Sequence, residues 1–168
     1  MPLISVDNID PSVLSPAEFR QYKVCCAAIW CLRHKDDLSY GATRDVRNWH
    51  PPPSMPNVLD CSALIHYCFK VAGCPDPSEN SNYAGNTASL WGSGILVGGK
   101  NVTTGQMRPG DVCFYGWKVP MVGGDSEHAT LYVGQGKVIS QGSEEGPFLV
   151  GYKSDFKKPF IGVKRYRF

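Results

Sequence analysis

The sequence predicts an α+β domain in which helices come first and an antiparallel sheet follows. Capped helical segments occupy the first half, and short apolar runs broken by glycine and proline fill the chain from Val102 onward. A length of 168 residues, 42% of them hydrophobic, suits one packed core and is short for two ordinary domains. One domain over residues 1–168 is therefore expected.

The first helix announces itself in Leu14-Ser15-Pro16-Ala17-Glu18-Phe19. Ser15 is the N-cap, Pro16 fits the first helical position, Glu18 completes a capping box and Leu14 staples onto Phe19. The spacing predicts a helix to about Lys35, with Phe19, Tyr22, Cys26, Ile29, Trp30 and the stem of Arg33 facing a core. Residues 1–37 thus read as an N-terminal helical extension. Residues 39–57 change to Gly, Pro, Asn and Arg, with three consecutive prolines at 51–53, and read as irregular chain. They lead to a second helix, capped by Asp60, built on the apolar run Ala63 to Ala72 and closed by Gly73. After a polar stretch at 74–85, a short helix is predicted over 87–91, capped by Asn86.

The strand half starts with the turn Met107-Arg108-Pro109-Gly110-Asp111, which feeds a strand at 112–115. A loop over 117–127 contains Gly123-Gly124. Strands at 128–133 and 137–141 flank Gly134-Gln135-Gly136, and a final pair at 147–152 and 160–166 completes a meander.

Charge and cysteine content exclude several classes. The balance of 17 basic and 15 acidic residues, net +2, gives no basic stripe with interleaved aromatics, so nucleic acid is not an expected partner. Lys153, Lys157, Lys158, Lys164, Arg165 and Arg167 thicken the positive charge toward the end, as a solvated tail or as a help in approaching an anionic wall. Seven cysteines repeat no zinc-ligand spacing, which predicts no metal or cofactor and a reduced, cytosolic inventory. No apolar run approaches the ~20 residues of a membrane span. Met1 to Pro16 lacks a basic region and an apolar core, so synthesis in the cytoplasm is expected, with any work outside needing another exit route.

Asp60-Cys61-Ser62 carries the chemistry, because it sets a thiol on the first turn of a helix. First-turn amides and the positive end of the helix dipole stabilise a thiolate and predict a lowered pKa. Such a nucleophile needs an imidazole to take its proton, and the imidazole needs an orienting partner. His34 and His50 lie elsewhere, and His66, five positions along the same helix, is turned well away from Cys61. His128 begins a strand, where it is either a surface histidine or the base.

A two-residue turn at Gly134-Gln135 pairs His128 with Gln141 on one face. A four-residue loop keeps that face; a three-residue loop substitutes Ser140. Gln141 is the preferred orienter and Ser140 the fallback.

Leu59-Asp60-Cys61-Ser62-Ala63-Leu64 resembles the nucleophile motif of the NlpC-like cysteine peptidases, in which Asp-Cys-Ser-Gly precedes an apolar residue. Arg108-Pro109-Gly110-Asp111-Val112-Cys113-Phe114 resembles their strand after the cysteine helix, and His128-Ala129-Thr130-Leu131-Tyr132-Val133-Gly134 their histidine strand. Residues 137–147 are similar to a segment of bacteriophage lysins of this family, with Gln141 where a histidine often stands. Ala63 in place of glycine is a second departure.

The resemblance implies a papain-like fold and a peptidoglycan hydrolase that cuts a stem-peptide amide through a Cys61, His128, Gln141 triad. The bond would join D-γ-glutamate to a diamino acid, or muramic acid to L-alanine. It implies that Tyr40, with Asp60 and Ser62, supports the nucleophile or its oxyanion. Trp117 as a cleft wall and Glu144 as a selector of a basic stem-peptide group are further candidates. An endolysin that acts alone as a monomer and reaches the wall through a holin pore fits this reading. A cytosolic cysteine peptidase or deamidase acting on proteins, and a non-catalytic wall-binding module, are the alternatives.

Overall fold

A computed structural model describes residues 10–42, 44–79, 81–121, 127–142 and 146–168. Helix α1 spans Pro16–Arg33 behind the expected capping box: Ser15 accepts from the Glu18 N–H, and Glu18 accepts from the Ser15 N–H at 2.7 Å. Helix α2 covers Cys61–Val71 and α3 covers Thr87–Gly92, capped by Asp60 and Asn86 respectively. None of the helices among the described residues is long and apolar enough to cross a membrane.

Gly73 ends α2 one position beyond its C-cap, Ala72, at φ 77°. The Gly73 N–H donates to the Lys70 carbonyl and the Cys74 N–H to the Phe69 carbonyl, both at 3.0 Å. This paired arrangement satisfies carbonyls of the last turn and needs a left-handed residue, which glycine supplies without strain.

The expected core stripe of α1 is corrected in part: Ile29 packs against the core as expected. Val24, Cys25, Ala27, Ala28 and Cys31 are buried, while Phe19 is 38% exposed and Trp30 stacks on His34 with ring centroids 4.0 Å apart. Small side chains let α1 lie close against α2, so volume, rather than hydrophobicity alone, chose the inner face.

Two short strands precede the main sheet. β1 (Ser39–Tyr40), at the start of the stretch read as irregular, pairs in parallel with β2 (Val58–Leu59), just beyond its end, and the pair brings Tyr40 beside Leu59. Then follow β3 (Ile95–Gly99), β4 (Val112–Gly116), β5 (Glu127–Gly134), β6 (Lys137–Ser140), β7 (Phe148–Gly151) and β8 (Phe160–Arg165). Their order in the sheet is β3-β8-β4-β5-β6-β7, all antiparallel.

The meander therefore holds only from β4 to β7. β8 does not lie beside β7; it returns to fill the space between β3 and β4. Both faces of the sheet are covered. Val112 and Phe114 join the core that includes α1 and α2 residues, and Cys113 and Tyr115 join a second cluster with Tyr132, Val138 and Val163. That double cover explains why all five residues of β4 are buried.

Candidate active site

The first turn of α2 is fixed by a polar network. The Asp60 carboxylate accepts from the Ala63 N–H at 2.7 Å and from the Ser62 hydroxyl at 3.0 Å. Arg44 reaches Asp60 at 3.4 Å and also donates to the Ser62 hydroxyl and to the Tyr83 carbonyl. Asp60 and Ser62 thus hold the helix start in place. Arg44 carried no signal in the sequence, because it lies in irregular chain 16 positions before Asp60.

Cys61, Thr87, His128, Tyr40 and Lys158 line one cleft of about 560 Å³ at the junction of α2, α3 and the start of β5. Cys61 is 7% exposed, with its Sγ 3.7 Å from the Thr87 hydroxyl. Burial pushes its thiol above the ordinary value, and the Asp60 charge adds to this. Hydrogen bonds from the Ala129 and Ser62 backbone and from Thr87 act in the opposite direction without prevailing.

The expected lowering is corrected accordingly. A helix end contributes about 0.3–1 kcal/mol, whereas full desolvation can shift a pKa by up to about 3–5 units. The resting group is a thiol.

His128 is buried, 5% exposed, and its Nε2 lies 2.7 Å from the Ser140 hydroxyl. Burial first, and the charge of Lys158 second, lower its pKa to about 4, so it is a neutral base at neutral pH. In the tautomer whose Nε2–H donates to Ser140, the lone pair falls on Nδ1, which is then the nitrogen that takes a proton. The ring packs against Phe156 and Tyr115 at centroid distances of 5.0 and 5.9 Å. Gly142 lies flat against it, since a Cβ there would sit 2.8 Å from Cε1.

Gln141 is not brought to His128. Its side chain points to the other face of β6, where its Nε2 donates to the Leu59 carbonyl at 3.2 Å and its Oε1 is buried without a partner. The reason is register. Gly134 pairs with Lys137, so the two-residue turn is Gln135-Gly136, one position later than the sequence suggested, and the ladder slips between Tyr132 and Gly134. Leu131 then pairs with Ile139, so Thr130 opposes Ser140, and the parity that the sequence assigned to Gln141 belongs to Ser140.

The remaining candidates divide. Tyr40 lines the cleft and is 43% exposed. Trp117 is 69% exposed just past β4 and does not line the cleft. Glu144 lies outside the described residues.

His66 is fully buried with Nδ1 at 2.7 Å from the Ser62 carbonyl, and burial lowers its pKa to about 4. Its Nε2 lies 3.6 Å from Asp76 but lacks a hydrogen-bond partner; with a neutral ring this is a contact, not an ion pair. In the basic C-terminal stretch, Arg165 is bound to Asp111, Lys164 lies over Trp91, and only Lys158 enters the cleft.

Thr87, Glu127 and Lys158 on the cleft, and Arg44 behind Asp60, are site neighbours that sequence reasoning missed. Thr87 was accessible from the Asn86 cap, which aims another helix start at the same point. Among the described residues no cluster of three His, Cys, Asp or Glu side chains could hold a metal ion.

Comparison with known proteins agrees with this architecture. The chain is 34% identical over 81 residues to the peptidoglycan endopeptidase RipA of Mycobacterium tuberculosis, covering 48% of this chain and 13% of that protein. It is 27% identical over 112 residues to a probable endopeptidase of Mycobacterium bovis, covering 66% of this chain and 24% of that protein. The chain thus matches about a quarter or less of these relatives' length.

Among solved structures, NlpC2 from Trichomonas vaginalis superimposes with a TM-score of 0.57 at 15% identity, over 96% of this chain and 52% of that one. RipA does so with 0.52 at 18% identity, over 99% and 66%. These likenesses concern the fold. The sequence profile of the NlpC/P60 family matches residues 40–165, from Tyr40 through both Cys61 and His128 to the end of β8, and the chain belongs to that family.

Proposed function

We propose that the chain hydrolyses an amide bond in the stem peptide of peptidoglycan, through a thioester on Cys61. The observation that carries the reading is the shared cleft: a thiol on the first turn of α2 and a neutral imidazole at the start of β5 line one cavity. Membership of the NlpC/P60 family and the peptidoglycan endopeptidase among the relatives supply the substrate class.

Because both groups rest uncharged, His128 acts as a general base during attack, not as half of a preformed ion pair. The Cys61 proton passes to Nδ1 as Sγ bonds to the carbonyl carbon. The C–N bond then breaks and the departing amine takes the proton. Water attacks the thioester, His128 accepts its proton and returns it to the leaving thiolate, which regenerates the thiol. Ser140 holds the ring in the tautomer this requires. The Cys61 N–H, with the Tyr40 hydroxyl, is the proposed donor set for the oxyanion.

Endopeptidase cleavage after D-γ-glutamate and amidase cleavage before L-alanine both fit this chemistry. Mass spectrometry of fragments from digested sacculi distinguishes them. Cys61→Ala is expected to abolish fragment release with an unchanged circular dichroism spectrum; undiminished release would overturn the assignment. The endolysin setting rests on the likeness of residues 137–147 to phage lysins, and co-expression with a holin tests it. Lysis is expected with the native chain and not with Cys61→Ala.

A further inference from the structure

Lys158 has no part in the proposed bond cleavage, yet it lines the same cleft. It stands on the connection between β7 and β8, which is anchored on both sides of it. The Phe156 ring packs 4.5 Å from Tyr115 and 5.0 Å from His128, and the Pro159 carbonyl accepts from the Gly116 N–H at 2.9 Å. The Lys157 N–H is tied to the Asp155 carboxylate at 2.7 Å. Lys158 is half-buried between these anchors and lines the cleft together with Cys61 and His128.

No hydrogen bond or ion pair of Lys158 occurs among the described residues. Arg44, the nearby guanidinium under Asp60, is already bound to Asp60, Ser62 and the Tyr83 carbonyl. Two carboxylates share the cleft: Asp60, which Arg44 already holds, and Glu127, which has contacts of its own. Among the described residues no carboxylate is paired with the positive charge that Lys158 places near His128, and that charge disfavours the imidazolium. A bound anion would answer it.

We infer that Lys158 binds a substrate carboxylate beside the scissile amide and so selects peptides carrying a free acid there over their amidated counterparts. The inference rests on the stem-peptide reading above and narrows its substrate. A glutamate linked through its γ-carboxyl keeps its α-carboxyl a few bonds from the amide to be cut, which supplies the required group. An ammonium–carboxylate hydrogen bond in a water-poor cleft is expected to confer about tenfold to a hundredfold selectivity.

Two synthetic peptides test this, L-alanyl-γ-D-glutamyl-diaminopimelate and its α-carboxamide, assayed beside purified sacculi. The native chain is expected to favour the acid at least tenfold in kcat/KM, mainly through KM. Lys158→Gln should remove the preference by lowering kcat/KM for the acid relative to the amide, and Lys158→Arg should retain it. A change in His128 basicity affects both peptides alike, so their ratio reports binding alone.

Equal cleavage of both peptides by the native chain, or an undiminished preference in Lys158→Gln, overturns the inference while leaving the hydrolase reading intact. Digestion of sacculi with neither peptide cut overturns it too, because the bond then lies elsewhere. Failure on all three substrates removes the hydrolase reading itself.

Discussion

Ser140 and Gln141 adjoin in the chain and meet opposite surroundings, which makes them separable by substitution. Ser140→Ala removes the hydroxyl at 2.7 Å from His128 and is expected to lower kcat by about tenfold to a hundredfold with little change in stability. Gln141→Leu preserves volume and replaces an amide whose oxygen already lacks a partner, so kcat should stay within a few-fold. A larger kcat loss for Gln141→Leu than for Ser140→Ala would reverse the two roles. Gly142→Ala forces a methyl group to 2.8 Å from the imidazole Cε1. Displacement of the ring is expected to cost at least tenfold in kcat, visible in the His128 ring resonances by NMR. The sequence offered Ser140 only as the fallback, because one slipped residue near Gly134 exchanges the faces of every side chain in β6 and with them the preferred and the fallback orienter.

At the level of elements, local chemistry was legible wherever it is stored locally. Caps, apolar runs and turns placed α1, α2, α3 and five of the strands, since Ser15, Asp60, Asn86 and Gly73 act within a few residues of themselves. β3 escaped notice because Ile95 and Leu96 face outward at 75% and 56% exposure, and the strand continues into two glycines. The inner face of α1 escaped for a different reason: closeness to α2 favoured Ala27, Ala28 and Cys31 over the larger aromatic stripe.

Asp111 shows how elements are locked together. Its fully buried carboxylate receives Arg165 Nε at 2.7 Å and Nη2 at 2.8 Å, tying the end of β8 to the start of β4. Arg165 is itself part-exposed, so Asp111→Ala should destabilise by about 2–4 kcal/mol, short of a fully buried pair. Urea unfolding measures this.

For the whole molecule, the two buried histidines set a pH response. Both His66 and His128 titrate at about 4 in the folded chain, against an ordinary value near 6.5. Between those limits the unfolded state binds more protons, so stability rises with pH. The contribution is complete above about pH 6.5 and is lost as pH falls toward 4. Urea midpoints should therefore drop steadily from pH 7 to 4.5, and His128→Gln should flatten part of that slope. A midpoint independent of pH would show that these rings are not held neutral.

The order of the strands has a consequence for synthesis. β8 is the latest of these eight strands in chain order and one of the central strands of the sheet, flanked by β3 and β4. Until residues 160–165 emerge, β4 presents an open edge of five residues that are all buried in the finished fold. A nascent chain halted after β7 is thus the form most exposed to wrong strand partners, and completion of the sheet must wait for β8.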